Sequence, residues 1–146
     1  MSEAQDISSL PEEDQDLCLK SMEMRESAYC PYSKFSVGAA LRCSDNSIVG
    51  GCNVENASYG LCICAERTAF VSAIASGQTE FKSIAVSADL KKDEFASPCG
   101  ACRQFMAEFH PSLPIFLVRP DGKVKKTDLS KLLPLAFSPK SISLPF

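Results

Sequence analysis

Only one of the 146 residues is a histidine, His110. It stands before Pro111 at the end of a predicted helix, where a capping or surface role suits it, so it is given no metal role. Basic charge is also short. The formal net charge is −3, and the lysines form only small clusters, Lys91-Lys92 and Lys123 with Lys125 and Lys126. That balance argues against a nucleic-acid partner held through its phosphates. No apolar run is long enough for a membrane span or a secretory signal, so neither membrane nor export is expected. No internal repeat or low-complexity linker divides the chain. A chain of this length is expected to form a single domain over 1–146, with flexible polar tails at 1–8 and 140–146.

Cysteine, by contrast, is plentiful, with eight in the chain. Such a number suits a secreted disulfide scaffold. Without an export signal, and with enough chain to bury a core, the expectation is instead a reducing, cytoplasmic setting. Cys18, Cys30, Cys43 and Cys52 then read as buried free thiols acting as small apolar residues.

The other four fall in two motifs, Cys62-Ile63-Cys64-Ala65-Glu66-Arg67 and Ser97-Pro98-Cys99-Gly100-Ala101-Cys102. Cys99 and Cys102 are three apart at a predicted helix start, with Ser97 as cap and Pro98 in the first turn, so both sulfurs face one way. Cys64 opens a second predicted helix, closed by Gly77. Two helix N-termini meeting at a point favour thiolates there. Three sulfurs suit zinc, and three protein ligands leave a fourth position for water, as in catalytic sites. Glu66 is placed to accept that water's proton, and Arg67 to donate hydrogen bonds to the sulfurs. A Cys-x-Glu followed by Pro-Cys-x-x-Cys also fits the zinc-deaminase signature. Two alternatives stand beside this reading: a closed structural site with Cys62 as a fourth ligand, and a redox C-x2-C pair.

Apolar periodicity gives a first helix to about Ser27 from a capping box at Ser9-Leu10-Pro11-Glu12. A hairpin follows, with strands over 35–41 and 48–54, and further strands are predicted over 83–87, 115–118 and 123–127, the last as a lysine-guarded edge. Helices over 64–76 and 99–109 and a short one ending near Leu133 complete a three-layer α/β/α domain with a five-stranded mixed sheet. Gly38, Gly50 and Gly51 in the hairpin suggest bulges or close backbone approach. Asn53 and Glu55 alternate onto one side of an extended chain, where an amide and a carboxylate can grip a sugar diol; a solvated loop is the alternative.

These residues resemble the free-nucleoside cytidine deaminases of the small homotetrameric type, over about Ala28 to Pro139. The matching blocks run from Tyr29 to Phe35, Val37 to Ala40, Gly51 to Ala57, Cys64 to Ala69 and Ser97 to Gln104, with Leu132-Leu133-Pro134 and Phe137 as the closing element. The resemblance implies a cytidine-deaminase-like fold and one Zn2+ per subunit on Cys64, Cys99 and Cys102, with Glu66 as the proton shuttle. It implies that Asn53 and Glu55 hold the ribose 3′-hydroxyl, Phe35 packs near the pyrimidine and the Ala65 backbone reads its edge. Tyr59 and Phe137 would reach a neighbouring subunit's site in a homotetramer with shared active sites. The implied reaction is zinc-dependent hydrolytic deamination of cytidine and 2′-deoxycytidine, a pyrimidine-salvage step on a small nucleoside. Its alternatives are a deaminase of another cytosine-bearing nucleoside or antibiotic and a non-catalytic zinc module. Cys62 departs from the family pattern and raises the prospect of a fourth thiolate.

Overall fold

The structure is a computed structural model, and it describes residues 2–91 and 93–142. In chain order the elements are β1 (Gln5–Asp6), α1 (Glu12–Met24), β2 (Val37–Cys43), β3 (Ile48–Cys52), α2 (Ala65–Ala75), β4 (Phe81–Ala88), α3 (Gly100–Ala107), β5 (Pro114–Val118), β6 (Lys123–Asp128) and α4 (Leu129–Leu132). They build one mixed sheet in the order β1-β6-β5-β4-β2-β3, in which only the β4–β5 pair is parallel.

Period-two alternation along the strands divides the core into two layers. Ala39 and Leu41 of β2, Ile84 and Val86 of β4, and Ile115 and Leu117 of β5 face α2 and α3. Ala40, Ala85, Phe116 and Val124 face α1, where Leu17 and Cys18 cover them. The three-layer expectation therefore holds. An aromatic cluster then ties α2 to α3. Phe70 of α2 lies 4.8 Å from Phe81, 6.2 Å from Phe105 of α3 and 5.5 Å from Phe109, centroid to centroid. Such pairs add about 0.5–1.5 kcal/mol each beyond burial, and they fix how the two helices lie side by side.

The sheet has six strands rather than the expected five. The extra one is β1, in a segment expected to be a flexible tail. Its side chains are polar and aperiodic, but its backbone is held: Gln5 and Asp6 pair with Val124 and Lys123, and the Ser2 amide donates to the Lys126 carbonyl at 3.1 Å. Ile7 buries itself beside α1. Strand β6 is accordingly not the sheet edge. At the other end, Pro139–Ile142 forms a 3-10 turn, and the rest of the expected tail, 143–146, lies outside the described residues.

Smaller corrections concern caps and thiols. Helix α1 starts at Glu12 with Pro11 as its N-cap, so Ser9 does not cap it; the Ser9 hydroxyl donates to the Asp6 carbonyl instead. Cys18 and Cys43 are buried as expected, whereas Cys30 and Cys52 are only half-buried. No helix among the described residues is long and apolar enough to cross a membrane.

The glycines mark close approach to helices. A Cβ on Gly38 would lie 2.0 Å from the Ser21 carbonyl oxygen of α1. On Gly51 it would lie 2.4 Å from the Ala69 amide nitrogen and 2.5 Å from the Ala65 carbonyl oxygen of α2. Both obstacles at Gly51 are backbone, which cannot rotate away. Gly51→Ala should therefore destabilise the fold by about 2–3 kcal/mol or more, read from the midpoint of a urea titration. A midpoint equal to that of the parent chain would contradict the close packing of α2 on β3.

Asp128 caps α4. Its carboxylate accepts from the Ser130 hydroxyl and from the Lys131 amide at 3.2 Å. The Ser130 hydrogen bond, helped by Lys131, holds its pKa down at about 2 against an ordinary 3.8. A depressed folded-state pKa means that the ionised cap stabilises above about 4 and that this contribution fades as pH falls through about 2. Asp128→Asn, which does not titrate, should show a smaller loss of melting temperature between pH 5 and pH 2 than the parent chain.

Candidate metal centre and active site

Cys64 occupies the N-cap position of α2 and Cys99 that of α3, with Cys102 one turn into α3. Packing α2 against α3 brings the two helix starts together. The sulfurs of Cys64, Cys99 and Cys102 all lie within 4.8 Å of one another, and those of Cys64 and Cys99 are 4.0 Å apart. A zinc ion with bonds of about 2.3 Å in a tetrahedron sets its sulfurs about 3.8 Å apart. The donor set and spacing therefore fit that ion.

Ser97 was expected to cap α3 but does not, because the helix begins three residues later. Its hydroxyl instead accepts from Arg103 Nη2 at 2.8 Å. Arg103 also donates to the Pro98 carbonyl at 2.7 Å and, across to α4, to the Leu132 carbonyl at 2.8 Å. This clamp braces the turn that delivers Cys99. Sequence reasoning gave Arg103 no role; its only signal was its place one residue after a ligand.

The electrostatics favour charge on the sulfurs. A hydrogen bond from Cys102, with further help from Arg67, draws the Cys64 thiol down to about 5. Cys102 shifts the other way, first because it donates to Cys64 and then through burial. Arg67 Nη2 donates to Cys64 Sγ at 3.5 Å, and its buried Nε has no partner. Glu66 lies beside the cluster and is only 4% exposed. Burial pushes it up to about 7, with the Cys64 charge adding to the rise and Cys102 and Arg67 opposing it.

The fourth-thiolate prospect is not met. Cys62 lies outside the sulfur cluster. Its Sγ accepts from the Asn56 amide at 3.3 Å and donates to the Asn56 carbonyl at 3.7 Å, which engages it outside the sulfur triangle, although the residue lines the same cavity as Cys64 and Cys99. The centre is a three-sulfur site with room for a fourth ligand.

A cavity of about 260 Å³ opens over this centre. Cys64, Ala65, Glu66 and Cys99 line it, together with Phe35, Asn53 and Glu55. Asn53 is partly committed to the loop before β2: its Oδ1 accepts from the Val37 amide at 2.9 Å, and its Nδ2 donates to the Phe35 carbonyl at 2.8 Å. One N–H and one lone pair remain. Glu55 accepts from the amides of Tyr32 and Ser33, both at 3.1 Å, and from the Ser33 hydroxyl. The Ser33 hydroxyl bond is the main reason its carboxyl is held below the usual range. Tyr59 and Phe137 do not join this cavity within one chain. Tyr59 is 71% exposed and packs edge-on against Tyr32, while Phe137 is 59% exposed with its carbonyl held by Gln104.

The family model described as the cytidine and deoxycytidylate deaminase zinc-binding region matches residues 11–117. A cytidine deaminase of Sporosarcina psychrophila is 49% identical over 128 residues, which is 87% of this chain and 93% of that protein. A probable cytidine deaminase of Dictyostelium discoideum is 46% identical over 132 residues, covering 90% and 88%. Among solved structures, the cytidine deaminase of Burkholderia pseudomallei superposes with a TM-score of 0.80 at 49% identity, covering 84% of this chain and 97% of the other.

Zinc competition against a chelator tests the three-sulfur reading. Cys62→Ala should retain zinc as the parent chain does, whereas Cys102→Ala should fall well below one ion per chain. Arg67→Ala should hold the metal roughly 10–100-fold more weakly. Loss of zinc on removing Cys62 would return it to the ligand set.

Proposed function

We propose that this chain, which belongs to the cytidine and deoxycytidylate deaminase family, hydrolyses cytidine and 2′-deoxycytidine to the corresponding uridines and ammonia. One observation carries the reading: three sulfurs converge beneath a cavity, with a buried carboxyl beside them and an amide and a carboxylate on its wall. Neither a closed structural zinc site nor a redox cysteine pair accounts for Glu66 and the cavity together.

In this reading Cys64, Cys99 and Cys102 hold the zinc. When bound, the ion supplies Lewis acidity that lowers the pKa of a water at its open position. Glu66 takes a proton from the attacking water as the bond to C4 of the pyrimidine forms, and delivers it to N3. A second transfer through the same carboxyl protonates the amino group, the C4–N bond breaks, and ammonia leaves a carbonyl at C4. Ala65, at the cavity floor, offers its backbone to the pyrimidine edge, and Phe35 packs against the ring. Asn53 keeps one donor and one acceptor for the ribose 3′-hydroxyl. Glu55, held ionised by the loop at Ser33, accepts from the same sugar. Arg67 offsets the negative charge that the thiolates bring.

The same reading takes the whole chain as one catalytic domain that works in the cytoplasm. It takes Tyr59 and Phe137 as contributions to a neighbour's site in a homotetramer. Their exposure supports this, as does that of Tyr29 and Leu61, at 56% and 64%.

Loss of cytidine absorbance in the ultraviolet, with and without a chelator, tests the activity. Glu66→Gln keeps the size and polarity of the side chain but cannot shuttle a proton. It should retain zinc and lose roughly 10²–10⁴-fold or more in kcat. Turnover close to that of the parent chain would remove Glu66 from the reaction.

A further inference from the structure

A second cavity, of about 320 Å³, lies on the α1 face of the sheet, lined among others by Asp14, Arg42, Lys82, Ser83, Phe116 and Lys126. It sits at the opposite end of the sheet from the sulfur cluster. Val37, at the upper cavity, and Arg42, at this one, are five residues apart on β2, or roughly 16 Å along an extended strand.

Arg42 is the unusual group. It is only 8% exposed. Its Nη1 donates to the Asn46 carbonyl at 2.9 Å and its Nη2 to the Glu13 carbonyl at 2.5 Å. Its Nε is buried and has no partner. Among the described residues no carboxylate lies within 4.0 Å of the guanidinium. Two carbonyl dipoles orient the group but do not neutralise it, and a buried cation without a counter-charge is unfavourable.

Two ammonium groups, less buried than Arg42, stand beside it. Lys82 Nζ donates to the neutral Asn46 Oδ1 at 2.6 Å. Lys126 Nζ lies over the Phe116 ring at 5.0 Å, and its nearest carboxylate oxygen, on Asp14, is 3.6 Å away. Three cations therefore border one cavity with two acidic residues, Asp14 and Glu13; only Asp14 reaches a cation within 4.0 Å, and the lining keeps an excess of one positive charge. The hydroxyl of Ser83, which is 7% exposed, adds a donor.

We propose that this cavity binds a phosphate-type oxyanion, with Arg42 as the buried anchor and Lys82, Lys126 and Ser83 completing its shell. Free phosphate and the phosphate of a nucleotide share the chemistry that these groups recognise. Guanidinium and ammonium donors to phosphate oxygens are the strong, charge-assisted class of hydrogen bond.

Isothermal titration of the zinc-loaded full chain, at fixed ionic strength in chloride buffer, provides the test. Its arms are inorganic phosphate, adenosine 5′-monophosphate and adenosine. Saturable binding of phosphate identifies a free-anion site. Binding of the monophosphate alone, with adenosine silent, identifies a nucleotide phosphate. Lys82→Ala, a surface change outside both cores, and Arg42→Met should each weaken the binding roughly tenfold or more. If Arg42→Met does not fold, Lys82→Ala alone decides the location. The proposal is overturned if neither anion saturates the parent chain, if adenosine binds as tightly as its monophosphate, or if affinity is unchanged in the folded variants.

Discussion

The sulfur triangle exists because α2 lies on β3 so closely that Gly51 has no room for a side chain. That contact sets the height of the first turn of α2, and hence of Cys64, above the sheet. The aromatic cluster around Phe70 then sets the lateral position of α3, and hence of Cys99 and Cys102. Neither contact involves a sulfur. The ligands are placed by backbone packing and apolar burial, and the Arg103 clamp braces the turn before α3. A site held this way pre-organises its ligands, so the metal need not pull them together against chain entropy.

The same placement explains how so much negative charge is tolerated in a half-buried pocket. Three thiolates and a carboxyl within a few ångströms repel one another. Cys64 and Cys99 stand at helix N-termini, where the partial positive charge of the dipole lies, and Arg67 reaches Cys64 directly. For Glu66 a backbone hydrogen bond, Cys102 and Arg67 favour the charged form, but burial outweighs them. Glu66 sits deeper, in an apolar wall beside Ala65 and Val86, and burial rather than a partner dominates its environment. Adjacent residues in the chain, Glu66 and Arg67, thus have different surroundings because successive helical positions face different ways.

The parts of this arrangement that were legible in the sequence are those that depend on local spacing. The C-x2-C at a helix start, Cys64 at the other helix start and the short apolar runs of the central strands follow from local spacing and composition, and all appear in the structure. Parts that depend on backbone pairing or on long-range geometry were not legible. Strand β1 has no apolar pattern, because only its main chain is used. Ser97 carries the right side chain for a cap, but Arg103 claims it. Cys62 is chemically identical to the ligands, and only the bend that hands its sulfur to the Asn56 backbone separates it from them. Gly51 announced a close approach but not its partner, since a glycine leaves room equally for a helix or a ligand.

The sulfurs and Glu66 stand at one end of the sheet, and Arg42, Lys82 and Lys126, with Asp14 and Glu13 beside them, at the other. At roughly 16 Å apart along β2, they lie beyond the Debye length of about 8 Å at physiological salt, so solvent carries little coupling between them. What joins them is strand β2, paired on both sides by β3 and β4 along its length. A strand held on two sides, with helices on both faces, has no second arrangement to switch into, and coupling between sites needs such an element. A charge bound at Arg42 therefore acts on the stability of the α1 layer, where the uncompensated guanidinium sits, and leaves the geometry of the sulfurs as packing sets it.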